Sequence, residues 1–147
     1  MTEDEFDAAM RVARQRVKDA GGIGKVSDPV RVVVTVCTAQ GIIDNGGLQY
    51  FYESDFEDQC PYPEFSDAYR SIGALEAADL FERSWRLFPF VNPHLYETKR
   101  QQWLDHVKED ESHEFHVLSD RLIGNKSVFP KLEDYIEKHW ACLLYTS

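Results

Sequence analysis

Apolar residues recur at helical spacing along almost the whole chain. Phe6, Met10, Ala13, Val17 and Ala20 follow one another at steps of four and three, which puts them on one face of a helix. Ahead of them Thr2-Glu3-Asp4-Glu5 has the arrangement of a capping box, and Gly21-Gly22 behind them supplies a stop. Acids open this segment and Arg14, Arg16 and Lys18 close it, which suits the macrodipole. Phe65, Ala68, Tyr69 and Ile72 predict a helix that stops at Gly73. Ala74, Ala78, Phe81, Trp85 and Phe88 predict another, ended by Pro89. Tyr96, Trp103 and Val107 mark a third, Phe115, Leu118 and Leu122 a fourth running up to Gly124, and Leu132, Tyr135 and Ile136 a closing one within 127–140. Residues 53–63, acidic and holding Pro61 and Pro63, read as a loop.

One segment resists this reading. Val30-Arg31-Val32-Val33-Val34-Thr35-Val36-Cys37 favours a strand by side-chain type. Yet Val30, Val33, Val34, Cys37 and Gly41 share a helical face, Ser27-Asp28-Pro29 is a helix start, and no second strand-like run exists to pair with it. A lone strand leaves its backbone groups unsatisfied, so the segment is assigned to a helix. The expected architecture is all-α, a single compact domain of seven or eight short helices.

Length and charge narrow the class. A chain of 147 residues suits one domain, and 43% hydrophobic residues supply a core. A net charge of −10 argues against binding nucleic acid or an anionic membrane, which both call for clustered Lys and Arg. With no apolar run near the length of a membrane span and an acidic amino end, the expectation is a soluble cytoplasmic protein. The final residues, Cys142-Leu143-Leu144-Tyr145-Thr146-Ser147, resemble translated sequencing adapter. The expected domain is therefore 1–141, with 142–147 a foreign tail. That leaves Cys37 and Cys60, without the spacing of a disulfide framework or a zinc site.

Little points to catalysis. His113-Glu114-Phe115-His116 is one residue too short for the zincin motif, whose two histidines sit four apart. Nucleophile-elbow, Walker and dinucleotide fingerprints are missing from the sequence. No enzyme and no cofactor are expected. The remaining alternative is a small-molecule or metal-binding domain, with Asn45, Gln49 and Tyr50, or His113 and His116, as ligands.

Asn45-Gly46-Gly47 offers backbone freedom where one helix ends and another starts close against it. On the residues alone, Gln49 is expected to hydrogen-bond the end of the first helix, with Tyr50 and Phe51 anchoring the core. The run Asn45-Gly46-Gly47-Leu48-Gln49-Tyr50-Phe51, the later Ile72-Gly73-Ala74, Leu87-Phe88-Pro89 and the stretch Lys131 to His139 together resemble the small bacterial family named after a nineteen-kilodalton DNA mimic protein. The similarity spans roughly residues 28 to 140, with one departure: Glu53 to Pro63 stands where that family often has a short Asn-Ser turn. The resemblance implies an all-α fold and, for the named member, a homodimer whose carboxylates imitate DNA phosphates and occupy a DNA-binding protein.

The charge is segregated as well as large. Residues 44–82 hold ten acids and the single base Arg70, and residues 105–120 carry six acids against Lys108. Glu64 with Asp67, and Glu76 with Asp79 and Glu82, have helical spacing that brings carboxylates ~5–6 Å apart. Asp79–Arg83 and Glu82–Arg86 are spaced to neutralise part of the second row. The expected function is non-enzymatic capture of a basic protein, with Glu53, Asp55, Glu57, Asp58, Glu64 and Asp67 as the binding surface. The partner is a DNA-binding protein or, alternatively, a basic toxin against which this chain confers immunity.

Overall fold

A computed structural model describes residues 1–56 and 58–145, in which eight α-helices and two 3-10 turns are formed. The first helix, α1, is Glu3–Ala20. The Thr2 side chain accepts the Glu5 backbone N–H at 3.1 Å, and Gly21, at φ +91°, closes the far end by donating to the Val17 and Lys18 carbonyls. Both signals are local; the glycine stop acts as its spacing predicts, while of the expected capping box only the Thr2 half is formed among the described residues.

Helix α2, Val30–Glu53, is the axis of the fold and takes in the ambiguous valine run. Its burial differs from the single face expected. Val32, Thr35 and Val36 are buried along with Val30, Val33 and Val34, while Cys37 is half-buried. A helix that is apolar all round belongs inside a ring of others, and α1, α3, α5, α6 and α7 all pack on it. Gly41 lies at an open point of this helix, where an added Cβ meets nothing within 4 Å. Gly41→Ala is therefore expected to stabilise the protein by about 0.5–1 kcal/mol, through helix propensity and a more restricted unfolded chain. Urea denaturation measures this directly, and a loss of stability would contradict the open position.

Gly46 (φ −158°, ψ 15°) and Gly47 (φ +70°, ψ −169°) break the axis inside α2. A Cβ on Gly47 would lie 2.6 Å from Ser119 Oγ, so only glycine lets the two helices approach this closely. The Ser119 hydroxyl accepts the Leu48 backbone N–H at 2.9 Å. Ser119 holds this corner, in place of the expected Gln49, and among the described residues neither Asn45 nor Gln49 makes a side-chain hydrogen bond. The kink also resets which residues face inward. Phe51 is fully buried, edge-on to Phe65 and Phe81 at 5.1 Å. Tyr50 is 50% exposed and lies over Gly46, so it does not anchor the core as expected; Tyr52 takes that place.

Helix α3, Tyr62–Ser71, starts three residues before the Phe65 of its expected stripe. Pro63 sits in its first turn, where the missing N–H has no partner to lose. Gly73, at φ +83°, then turns the chain into α4, Leu75–Trp85. This helix ends earlier than the apolar stripe implied, although Phe88 is still buried. A 3-10 turn at Pro93–Leu95 leads into α5, Glu97–Glu109, followed by α6, Glu114–Leu122, α7, Val128–Lys138, and α8, Trp140–Tyr145. The expected foreign tail falls largely in α8, whose Leu143 is buried and which packs on α1; Thr146 and Ser147 lie outside the described residues.

One polar node joins three helices inside the core. The Gln40 side-chain amide donates to Asp44 (2.7 Å) and to the Leu122 carbonyl (2.9 Å), and its oxygen accepts the Tyr69 hydroxyl (2.9 Å). Asp44 in turn accepts the Gly124 backbone N–H at 2.7 Å. Burial holds the Tyr69 hydroxyl well above the usual range, so it stays a donor.

Candidate functional site

The end of α2, the 54–61 loop and the start of α3 carry the six acids expected to bind a partner. Glu53 is exposed on the last turn of α2, where the Gln101 amide donates to its carboxylate at 3.3 Å. Asp58 accepts the Gly24 backbone N–H at 3.2 Å and so ties the loop to the 3-10 turn at Ile23–Lys25. Glu64 accepts the Cys60 thiol at 3.1 Å. Burial first, then donation to Glu64, pushes that thiol up to about 12, so Cys60 is a neutral thiol at physiological pH. Glu57 lies outside the described residues.

The other two acids are not unmatched. Asp55 pairs with Arg100 at 2.7 Å, and Asp67 lies 3.7 Å from Arg70. The second expected row is neutralised more fully. Arg70 also reaches Asp79 and Glu82, each at 3.3 Å, Arg86 reaches Glu82 at 3.7 Å, and Arg121 pairs with Glu76 at 2.9 Å. Glu82–Arg86 forms as its spacing predicts, whereas Arg83 turns away from Asp79 to pair with Glu114 of α6. Packing of α4 on α3 and α6 offers these arginines partners across helices that the i, i+4 rule does not see.

Arg100 is the organising cation of this region, and it is only 2% exposed. Its Nε donates to the Tyr52 carbonyl, one terminal nitrogen to the Pro93 and His94 carbonyls, and the other to Asp55. The end of α2, the loop and the turn before α5 are thereby clamped together. They enclose a cleft of about 270 Å³ lined by Asp55, Phe56, Gln59, Cys60, Tyr62, His94, Glu97 and Arg100, among others. Burial pushes the Tyr62 hydroxyl up to about 12, and burial helped by the Arg100 charge holds His94 below its usual range. Both rings are therefore neutral at physiological pH.

Sequence reasoning did not single out Arg100, Tyr62 or His94, although a signal existed for two of them. Arg100 precedes Leu104 and Val107 by four and seven, so a cation occupies the buried stripe of α5. Tyr62 precedes Phe65 and Tyr69 by three and seven in the same way. An Arg at such a position is buried with partners or not at all.

The alternative ligand sets are differently employed. His113 caps α6, its Nδ1 accepting the Phe115 backbone N–H at 3.1 Å, and His116 Nε2 donates to the Val107 carbonyl at 2.9 Å. Both are half-buried. No group of three or more metal-ligating side chains is gathered among the described residues. Asn45 and Tyr50 are exposed at the α2 corner, apart from the cleft. Among the described residues no helix is long and apolar enough to cross a membrane.

A family model described as DMP19-like protein matches residues 24–139. Comparison with curated proteins finds no match, and comparison with solved structures finds none either.

Proposed function

The chain belongs to the DMP19-like protein family, and from that membership we propose that it works by protein–protein contact, capturing a basic DNA-binding protein on a carboxylate surface. The surface comprises Glu53, Asp58 and Glu64, with Asp55 and Asp67 as partly neutralised members. One observation carries this reading. Glu53, Asp58 and Glu64 are exposed, their hydrogen-bond donors are an amide, a backbone N–H and a thiol, and they take part in none of the ion pairs among the described residues. Carboxylates in that state keep their charge for an approaching cation. The row at Glu76, Asp79 and Glu82 is already answered by the protein's own arginines and takes no part. An anionic surface speeds encounter with a basic partner and weakens as salt is added.

The test is affinity capture from a lysate of the host, comparing the wild-type chain with Glu53→Gln/Asp58→Asn/Glu64→Gln. The Asp58→Asn change keeps a side-chain oxygen for the Gly24 amide, so the loop is preserved. The expected partner is a DNA-binding protein that short duplex DNA releases from the complex. Its affinity should fall about tenfold in the triple variant, at roughly 0.5 kcal/mol for each exposed charge pair. A complex that is indifferent to duplex DNA and survives the neutralised surface would remove the proposal. A captured nuclease toxin that duplex DNA does not release would replace the DNA-binding protein as partner.

A further inference from the structure

The cleft under the 54–61 loop contains a group that the acidic surface does not use. Tyr62 is 2% exposed, yet its hydroxyl has no hydrogen-bond partner among the described residues; its contacts are with the rings of Phe51, Tyr52, Phe88 and His94. Every fully enclosed side-chain polar atom among the described residues has a partner, so the Tyr62 hydroxyl is an atom that opens onto the cleft. A phenol so deeply set and left without a partner loses hydrogen-bond energy unless something enters to meet it.

The lining defines what can enter. Asp55 is engaged through Oδ1 alone, and its side chain is 60% exposed. Glu97, in the first turn of α5, is exposed. The cation of the lining, Arg100, already serves three carbonyls and Asp55. With His94 neutral, the titratable lining carries two negative charges against one positive, which disfavours an anion. At about 270 Å³ the cleft falls just under the roughly 300–1,000 Å³ typical of sites for whole small molecules, and suits a single side chain. Phe56, Tyr62 and His94 give it aromatic walls. A flat cation that stacks on rings while donating in its own plane matches such walls and carboxylates better than a compact, strongly hydrated ammonium.

We propose that this cleft is a receptor for a guanidinium group, supplied by an arginine side chain of the basic partner, with the Tyr62 hydroxyl and the Asp55 and Glu97 carboxylates as its acceptors. The proposal rests on the capture reading above and names the side chain that the surface would draw in. The surrounding acids bring the partner close; the cleft distinguishes arginine from lysine once it arrives. Tyr62 and Glu97 then set specificity, and Arg100 holds the walls in place.

The experiment is an NMR titration of the full chain with N-acetyl-L-arginine amide and, separately, its lysine counterpart, repeated on Tyr62→Phe and Glu97→Gln. The arginine compound should saturate, with shifts centred on Tyr62, His94 and Leu95, and the lysine compound should bind several-fold more weakly. Tyr62→Phe should weaken the arginine compound at least about tenfold, the value of one hydrogen bond to a charged group, while leaving the melting temperature unchanged or higher. Shifts that spread over all acidic residues, grow linearly, or ignore Tyr62→Phe would overturn the cleft as a receptor. The two readings fail separately. If neutralising Glu53, Asp58 and Glu64 abolishes capture while Tyr62→Phe leaves partner affinity unchanged, the cleft proposal falls and the surface stands. If the arginine compound saturates the cleft but no DNA-binding protein is captured, the partner is excluded as the source, and a free guanidinium compound takes its place.

Discussion

Arg100→Leu is expected to lower the unfolding free energy by about 3–5 kcal/mol, because three carbonyls inside the clamp lose their donor at roughly 1–2 kcal/mol each. Leucine replaces the aliphatic stem but none of the donors. The carbonyl of Tyr52 belongs to the last turn of α2, where helix geometry leaves carbonyls without intrahelical partners, and Arg100 Nε is what meets it at 3.2 Å. The Pro93 and His94 carbonyls lose donors at 2.9 and 3.0 Å in the same step. Asp55→Asn should cost only about 1 kcal/mol, because the Asp55 side chain is exposed and solvent replaces its share. Arg100→Lys should recover little, since one ammonium cannot reach donors spread over three nitrogens. Urea denaturation of the three variants ranks them; an Arg100→Leu protein within 1 kcal/mol of wild type would show that the clamp is not needed.

Gly47→Ala should cost about 3 kcal/mol for two separable reasons. At φ +70° and ψ −169° the backbone occupies a region that only glycine adopts freely, with strain of order 1–3 kcal/mol for any other residue. The new Cβ also falls 2.6 Å from Ser119 Oγ and 3.2 Å from Ile123 Cδ1, which forces α6 away and breaks the Leu48–Ser119 hydrogen bond. A double-mutant cycle separates the two contributions. In a Ser119→Ala background the hydroxyl is gone, so adding Gly47→Ala should cost less than it does in the wild-type chain, with the φ strain remaining. Equal increments in both backgrounds would mean that the contact with Ser119 plays no part. Thermal unfolding monitored by circular dichroism reads all four proteins, and Gly41→Ala is the matched control on the same helix.

Those two positions also mark how far the amino-acid order reaches. Signals confined to a few neighbouring residues were legible: the Thr2 cap, the stop at Gly21 and the turn at Gly73 act within a turn of themselves, and the glycine pair marked where α2 bends, though not what holds the bend. The valine run became a helix because a strand would have had no partner, and that too is arithmetic on the chain. What lies across helices was not legible. After the Gly47 bend the inward face begins again from a new origin, so Tyr50 turns out and Tyr52 turns in, an angle that Ser119 and Ile123 of the distant α6 region settle. The free carboxylates were decided in the same way: Arg70, Arg100 and Arg121 each choose acids on other elements, leaving Glu53, Asp58 and Glu64 with neutral donors. Helix ends follow from local hydrogen bonding, but which charges remain unanswered depends on distances that exist only once the helices have packed.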